Sequence, residues 1–399
     1  MANILFLSQR IPYPPDKGEK IRSYRMFSHL AKRHRVFLGC FIDDPFDLAH
    51  REKVEGMAEQ SHIPRLHPGL ARIKSGLALA SGAPLSKRYF FDAGLKRWTN
   101  RVLAEVQPEA VFVFSSVMAQ YVPATALKTF RYVVDYVDVD SEKFAQYAEG
   151  QKGPMRAVYS REAKSLLAFD ERVATRADAC LFVTAQEAEL FKTKVPKAAR
   201  KVHAVGNGID TDYFSPEASF DPVEIEGNPL IVFTGRMDYW PNVDAVQWFA
   251  ERVFPSVRNA MPGAHFAIVG AAPSPKVLAL GEMAGITVTG KVPDIRPYLK
   301  AASLAVAPLK IARGLQNKVL EALAMGTPVV VTPQGLEGIA ADPGTHLLTA
   351  ETPDQFLEAI KAAALPDRAQ GLASAGRALV DERYEWDAQL ALLDRHLGF

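Results

Sequence analysis

Short runs that are apolar at nearly every position alternate along this chain with longer segments of helical period, and the alternation runs through twice. Strands that are apolar almost throughout are buried on both faces, as in parallel sheets. Helices between such strands make βαβ units. In the first half the runs are 3–8, 35–42, 110–115, 131–136 and 179–184, with amphipathic segments at 18–34 and 160–176. In the second half they are 229–235, 264–270, 286–289, 303–309, 327–332 and 346–349, with helical patterns at 242–260, 314–325 and 352–364. The predicted organisation is a Rossmann-like domain over 1–205, a junction over 206–228, a second Rossmann-like domain over 229–383 and a terminal helix over 384–399. The junction reads as a linker because 212–228 combines two prolines, acidic residues and weak periodicity. Two such α/β domains are expected to face each other across a cleft, with ligands outside the carboxyl ends of the strands.

Composition narrows the function. Of 399 residues, 48% are hydrophobic and 23% charged, which supplies apolar side chain for two cores. A net charge of +2 gives no ground for a nucleic-acid partner. Cys40 and Cys180 lie in apolar runs and read as buried thiols in a reducing compartment. No Cys/His cluster has metal-ligand spacing. The run at 3–8 is short and lacks a basic leader, so it reads as a first strand, not a signal peptide. The expected location is the cytoplasm, with the option of resting on the inner face of the membrane.

The most informative block runs from Pro308 to Ile339. A strand is expected to end at Leu309, and a loop with Arg313 and Gly314 to open a helix bearing Lys318 and Glu321. A glycine loop at a helix start offers unpaired N–H groups and a positive dipole end, which suits a phosphate. Lys318, about one turn inside, can add a point charge. Glu321 shares its helix face at i+3. A carboxylate there can accept hydrogen bonds from the paired hydroxyls of a ribose. An isolated Lys/Glu pair of this spacing is more often an ordinary surface ion pair, since such pairs are common and weak.

The sequence Glu321–Ala322–Leu323–Ala324–Met325–Gly326–Thr327–Pro328–Val329 resembles the donor-binding signature of glycosyltransferase family 4, whose members have the GT-B fold. Val205–Gly206–Asn207–Gly208–Ile209–Asp210 with Phe214 resembles the family's domain junction. Phe233–Thr234–Gly235–Arg236–Met237 resembles the strand end that opens its second domain, and Thr289–Gly290–Lys291–Val292–Pro293 its nucleobase loop. Within the family the chain is most similar to the sugar transferases of PEP-CTERM/exosortase exopolysaccharide clusters. That similarity rests on Pro12–Tyr13–Pro14–Pro15–Asp16–Lys17–Gly18, Val134–Asp135–Tyr136–Val137–Asp138–Val139–Asp140–Ser141 and Met237–Asp238–Tyr239–Trp240–Pro241–Asn242.

The resemblance implies a metal-independent, retaining transferase that uses a nucleotide-diphosphate sugar as co-substrate, needs no cofactor and acts on a saccharide or lipid-linked acceptor. It implies that Arg236 and Lys318 stabilise the leaving diphosphate. Donor contacts would come from Gly18, Gly290, Lys291, Val292, Arg313, Gly314, Leu315, Asn317 and Glu321. Two positions depart from the family. Its first glutamate falls on Arg313 and the lysine after its arginine on Pro241, so Lys318 is expected to take over that charge.

Asp138 and Asp140 spell a pair that could hold a hard cation. A contact from Asp138 to sugar or acceptor hydroxyls fits the family better. An N-cap from Asp140 or Ser141 is the structural alternative. Residues 51–101 hold ten Lys/Arg against four Asp/Glu, and from 72 to 88 the basic residues interleave with Leu, Ile and Ala. A membrane surface and a solvated basic helix both fit that pattern, and a contact through 72–101 is the membrane expectation. Arg313 and Pro241 also motivate a non-catalytic nucleotide-sugar-binding subunit. A sugar-nucleotide epimerase of the same fold is a third option. A dinucleotide dehydrogenase is disfavoured, because no G-x-G-x-x-G follows a strand.

Overall fold

The alternation resolves into two parallel sheets in a computed structural model that describes residues 1–15, 18–76, 82–126, 129–225, 227–312 and 315–399. One unit comprises Met1–Gly206 with Gln389–Phe399, the other Asn207–Ala388. Residues 207–228, read as a linker, thus pack with the second unit. The final helix, Trp386–Leu397, starts in the second unit and runs into the first.

The first unit holds strands β1 (Asn3–Ser8), β2 (Arg35–Gly39), β3 (Gln60–His62), β4 (Ala110–Phe114), β5 (Arg131–Val137), β6 (Ala179–Phe182) and β7 (Val202–Ala204). Their order is β3-β2-β1-β4-β5-β6-β7, and every ladder is parallel. The central strand β4 is buried at every position, as wholly apolar runs require. The edge strands β3 and β7 are short and partly exposed, and the apolar-run criterion passed over both. Residues 389–399 close this unit. The Gly206 amide donates to Gln389 Oε1 at 2.7 Å, His29 Nε2 lies 2.8 Å from Asp394 and the His34 and Phe399 rings stack. Cys40 and Cys180 are buried and free.

The second unit holds β8 (Leu230–Thr234), β9 (His265–Val269), β10 (Ile286–Gly290), β11 (Leu304–Ala307), β12 (Val329–Val331) and β13 (Leu348–Thr349), in the order β10-β9-β8-β11-β12-β13. These ladders too are parallel. Strand order reverses between β8 and β11, and that is where open α/β sheets bind ligands. The helix pattern expected over 242–260 divides into Trp240–Trp248, a π-helical turn at Phe249–Val253 and Phe254–Ala260. Helix Asn317–Ala324 follows β11 and carries the principal motif. It is held by helix Pro366–Arg383, whose Gly376 permits the approach: a Cβ there would lie 2.6 Å from Leu323 Cδ2. Arg377 Nη1 donates to the Ala324 carbonyl at 2.8 Å and so satisfies an open group at the helix end. Among the described residues no helix is long and apolar enough to cross a membrane.

Candidate functional site

Gly235 follows strand β8 and Gly270 follows β9, with φ of +154° and +150°. Both angles fall where L side chains are disfavoured. The two glycines also touch: a Cβ on Gly270 would lie 1.8 Å from the Gly235 carbonyl oxygen. A Cβ on Gly235 would lie 2.8 Å from Asn242 Nδ2 and 3.1 Å from Lys318 Nζ. Bare backbone at the end of β8 therefore makes room for a lysine from the helix after β11.

Lys318 Nζ donates to Asn242 Oδ1 at 2.5 Å and stands 4.2 Å from the centre of the Phe233 ring. Asn242, only 6% exposed, turns its Nδ2 back to the Arg236 carbonyl at 2.8 Å. One buried amide thus joins the ammonium to the backbone of the loop that carries Arg236. Burial pulls Lys318 down to about 7, with Glu321 opposing the shift. Burial likewise pushes Glu321 up to about 7, with Lys318 opposing. The two groups share one helix face, as the i+3 spacing predicts, and each opposes the other's shift. An anion placed here would favour the charged lysine.

The helix begins at Asn317, not at Gly314. Lys318 is consequently the second helical residue and not one turn inside. Gln316 is the N-cap, with extended backbone that keeps 315–316 out of the helix. Arg313 and Gly314 lie outside the described residues. Leu315 packs on the second unit's core. Asn317 Oδ1 is buried with no hydrogen-bond partner among the described residues. Such an orphaned acceptor at a helix start is costly unless something else meets it.

Arg236 is outside this knot. Its side chain is 60% exposed and forks onto Asp238, Nε–Oδ1 at 3.1 Å and Nη2–Oδ2 at 2.7 Å. That hydrogen-bonded fork holds Asp238 below the usual carboxylate range. Gly290, in left-handed backbone at φ +68°, ends β10 two strands from β8. Lys291 after it is exposed, and Val292 packs on the core. Arg296 covers the Tyr213 ring at 3.6 Å and donates to the Tyr213 carbonyl, so the 207–228 segment is pinned near this loop.

Gly18 and Asp138 belong to the first unit. Gly18 opens helix Gly18–Arg33, is exposed, and has open space where a Cβ would stand. Packing within the unit therefore places no demand for glycine there. Asp138 follows Val137, whose φ of +67° is rare for a β-branched residue. Ser115, at the end of neighbouring β4, also has positive φ, +71°. Positive φ thus falls at the carboxyl ends of two adjacent central strands, the kind of backbone strain that clusters at active sites and ligand clamps. It is sustained by Asp135, whose Oδ1 accepts from the Val137 amide at 3.0 Å while Oδ2 accepts from Arg22 Nε at 2.8 Å. Neither Asp140 nor Ser141 caps the following helix, Asp140–Glu149. Its N-cap is Val139, because the turn places Asp140 already inside the helix. Burial, with Asp138 and Glu19 nearby, raises Asp140 against the pull of Lys143. Among the described residues no group of three or more His, Cys, Asp or Glu could hold a metal ion.

The sequence assigned no role to Asn242, Asp135 or Arg22. For Asn242 a signal existed: the residue follows Pro241, where the expected lysine is missing.

Residues 228–364 match the family model described as glycosyl transferases group 1. No curated protein matches the chain in sequence. Among solved structures the chain is similar to sucrose-phosphate synthase from Thermosynechococcus elongatus, at 17% identity and TM-score 0.66, covering 99% of this chain and 98% of that one. It is similar to Anabaena HepE in complex with UDP, at 14% identity and TM-score 0.68, covering 99% of each. WaaG, a glycosyltransferase involved in lipopolysaccharide biosynthesis, matches at 17% identity and TM-score 0.65 over 100% of both chains. These likenesses show the GT-B fold.

Proposed function

We propose that this protein is a glycosyltransferase that moves a sugar from a nucleoside-diphosphate donor to an acceptor. The observation that carries the proposal is the Lys318–Asn242 knot against the bare backbone of Gly235, beside Glu321, where strand order reverses. It lies inside the segment that matches the glycosyl transferases group 1 model. Lys318 and the start of its helix receive the diphosphate, and Arg236 swings from Asp238 to join them. Glu321 accepts from the ribose hydroxyls. Gly290, Lys291 and Val292 border the base, and Leu315 and Asn317 the phosphates. Arg313, Gly314 and Gly18 complete the donor contacts. HepE structures contain UDP and UDP-glucose, which makes uridine nucleotides the first donors to try.

In the reaction the acceptor oxygen bonds to the anomeric carbon as the bond from that carbon to the β-phosphate oxygen breaks. The departing phosphate takes the acceptor proton, on the same face, so configuration is retained. Electrostatic stabilisation of the leaving group supplies most of the acceleration. Asp138 orients a hydroxyl of sugar or acceptor. The acceptor is a saccharide or a lipid-linked saccharide in exopolysaccharide assembly, and the work is done in the cytoplasm.

The test is a thermal-shift panel of nucleoside diphosphates and their sugars. A ligand at about a hundred times its Kd adds about 2.7 kcal/mol. Glu321→Ala should weaken the best ligand by about 1.5–3 kcal/mol, the worth of a hydrogen bond to a charged group. Unchanged affinity in a folded variant rules out the ribose contact. Turnover should also persist in EDTA, since side-chain cations supply the charge. Loss of turnover in EDTA with rescue by manganese would assign the leaving group to a metal instead.

A further inference from the structure

The basic stretch 72–101 separates into two parts that differ in what their side chains do. In its later part Lys87, Arg88 and Lys96 are engaged within the unit, whereas Arg97 and Arg101 are exposed. Lys87 Nζ lies 5.2 Å from the Phe169 ring centre, and Arg88 covers Phe91. Lys96 donates to the carbonyls of Gln120 and Tyr121 at 3.1 and 3.0 Å. Burial pulls both lysines below their ordinary value. Lys87 and Lys96 are therefore poorly placed to meet a partner.

Helix Pro68–Gly76 is different. It packs on helix Leu85–Tyr89 and turns Ala71 inward, at 5% exposure. Its outer side presents Leu70 and Ile73, 57% and 73% exposed. At 100° per residue these two are i,i+3 neighbours forming a ridge away from Ala71, and exposed Arg72 and Lys74 fall on either side of it. No acidic residue occurs in the helix, and Asp92 is the one acidic residue between 65 and 101. Two aliphatic side chains held in water gain by burial. Flanking cations select what buries them. Lysine is depleted in protein–protein cores, whereas an apolar ridge edged by Lys and Arg is the pattern of a helix lying in an anionic bilayer interface.

We propose that helix Pro68–Gly76 is the seat of this protein on an anionic lipid surface. Leu70 and Ile73 enter the boundary between headgroups and acyl chains. Arg72 and Lys74 meet lipid phosphates. With two apolar anchors the attachment is reversible. It rests on the transferase proposal only for its purpose, which is to bring a lipid-linked acceptor within reach.

The experiment is co-sedimentation of the full chain with phosphatidylcholine vesicles, with and without phosphatidylglycerol, alongside the UDP thermal shift. Wild type should bind only the anionic vesicles and release at high salt. Leu70→Ser with Ile73→Ser should lower partitioning at least about tenfold. Arg72→Gln with Lys74→Gln should lower it about 25-fold, about fivefold for each cation. Lys192→Gln with Lys197→Gln, which removes equal charge elsewhere on the unit, should leave it unchanged. Equal binding to neutral vesicles, an unaffected serine variant, or an equal loss in the Lys192/Lys197 control overturns the proposal. So does a serine variant that changes the oligomeric state of a protein that binds no vesicles, because the ridge then covers a second copy. A UDP shift that survives in all variants isolates the membrane contact. Vesicle binding without any nucleotide shift strikes at the donor site alone.

Discussion

Replacing Lys318 with glutamine is expected to lower kcat by about 10²–10³-fold, the usual effect of removing one preorganised group from a developing oxyanion. Donor binding should fall much less, because the ammonium matters most as negative charge gathers on the departing phosphate. Lys318 is the cation built into the knot, with Asn242 and the Gly235 backbone fixing it from two sides. Lys310 stands over the Trp248 ring and the exposed Lys291 borders the base through its backbone, so Lys310→Gln and Lys291→Gln should both keep nearly wild-type kcat. Lys318→Arg should rescue only in part, since the planar fork is larger than the space Gly235 leaves. The pH profile is a second readout. The kcat/KM profile reports groups of the free enzyme. Lys318 and Glu321 both lie at about 7. Below that value Glu321 gains a proton and loses the charge that strengthens its bonds to the ribose. Above it Lys318 loses its charge. Wild type should give a bell near neutrality, and Lys318→Gln should lose the alkaline limb. Wild-type turnover in Lys318→Gln would remove this residue from the mechanism.

Asp135→Ala should destabilise the first unit by about 3–5 kcal/mol, the cost of leaving one partner of a buried ion pair uncompensated. Both side chains, Asp135 and Arg22, are 0% exposed, and Arg22 Nη1 also donates to the Gly206 carbonyl at 3.0 Å. Burial pushes the Asp135 carboxyl up and the Arg22 guanidinium pulls it back. Alanine also releases the Val137 amide, so the strained turn before Asp138 loses its support. Asp135→Asn keeps an acceptor for Val137 without the charge and should lie between the two. Denaturant unfolding followed at Trp98, the tryptophan of the first unit, reads this directly. A loss below about 1 kcal/mol in Asp135→Ala would mean that Arg22 finds other compensation.

The central strands were legible because they are apolar at nearly every position, Asp135 in β5 being an exception. The edge strands β3 and β7 were not. Gln60, Ser61 and His62 form a strand only because β2 offers a ladder beside them. Helix Pro366–Arg383 escaped notice because Gly371 and Gly376 weaken its pattern. Gly376 is there for contact with Leu323, which no local period can reveal. The site divides in the same way. Lys318 and Glu321 are readable from spacing within one helix. Asn242 carries only the hint of following Pro241, because its role depends on bringing together two helices far apart in sequence. Starting the helix at Gly314 rather than Asn317 followed from treating a glycine as the opener when extended backbone at Gln316 sets the boundary.

The chain leaves the first unit at Gly206 and comes back to it at Gln389. During synthesis, the ribosome must therefore finish the whole second unit before the first can be completed. Until then His29 lacks Asp394 and the Gly206 amide lacks Gln389. The early-made unit must wait, unsealed, while its neighbour folds. A protease cut between 388 and 389 would take the closing piece from one unit while leaving every residue of the other in place. No single cut anywhere in the chain yields both units whole.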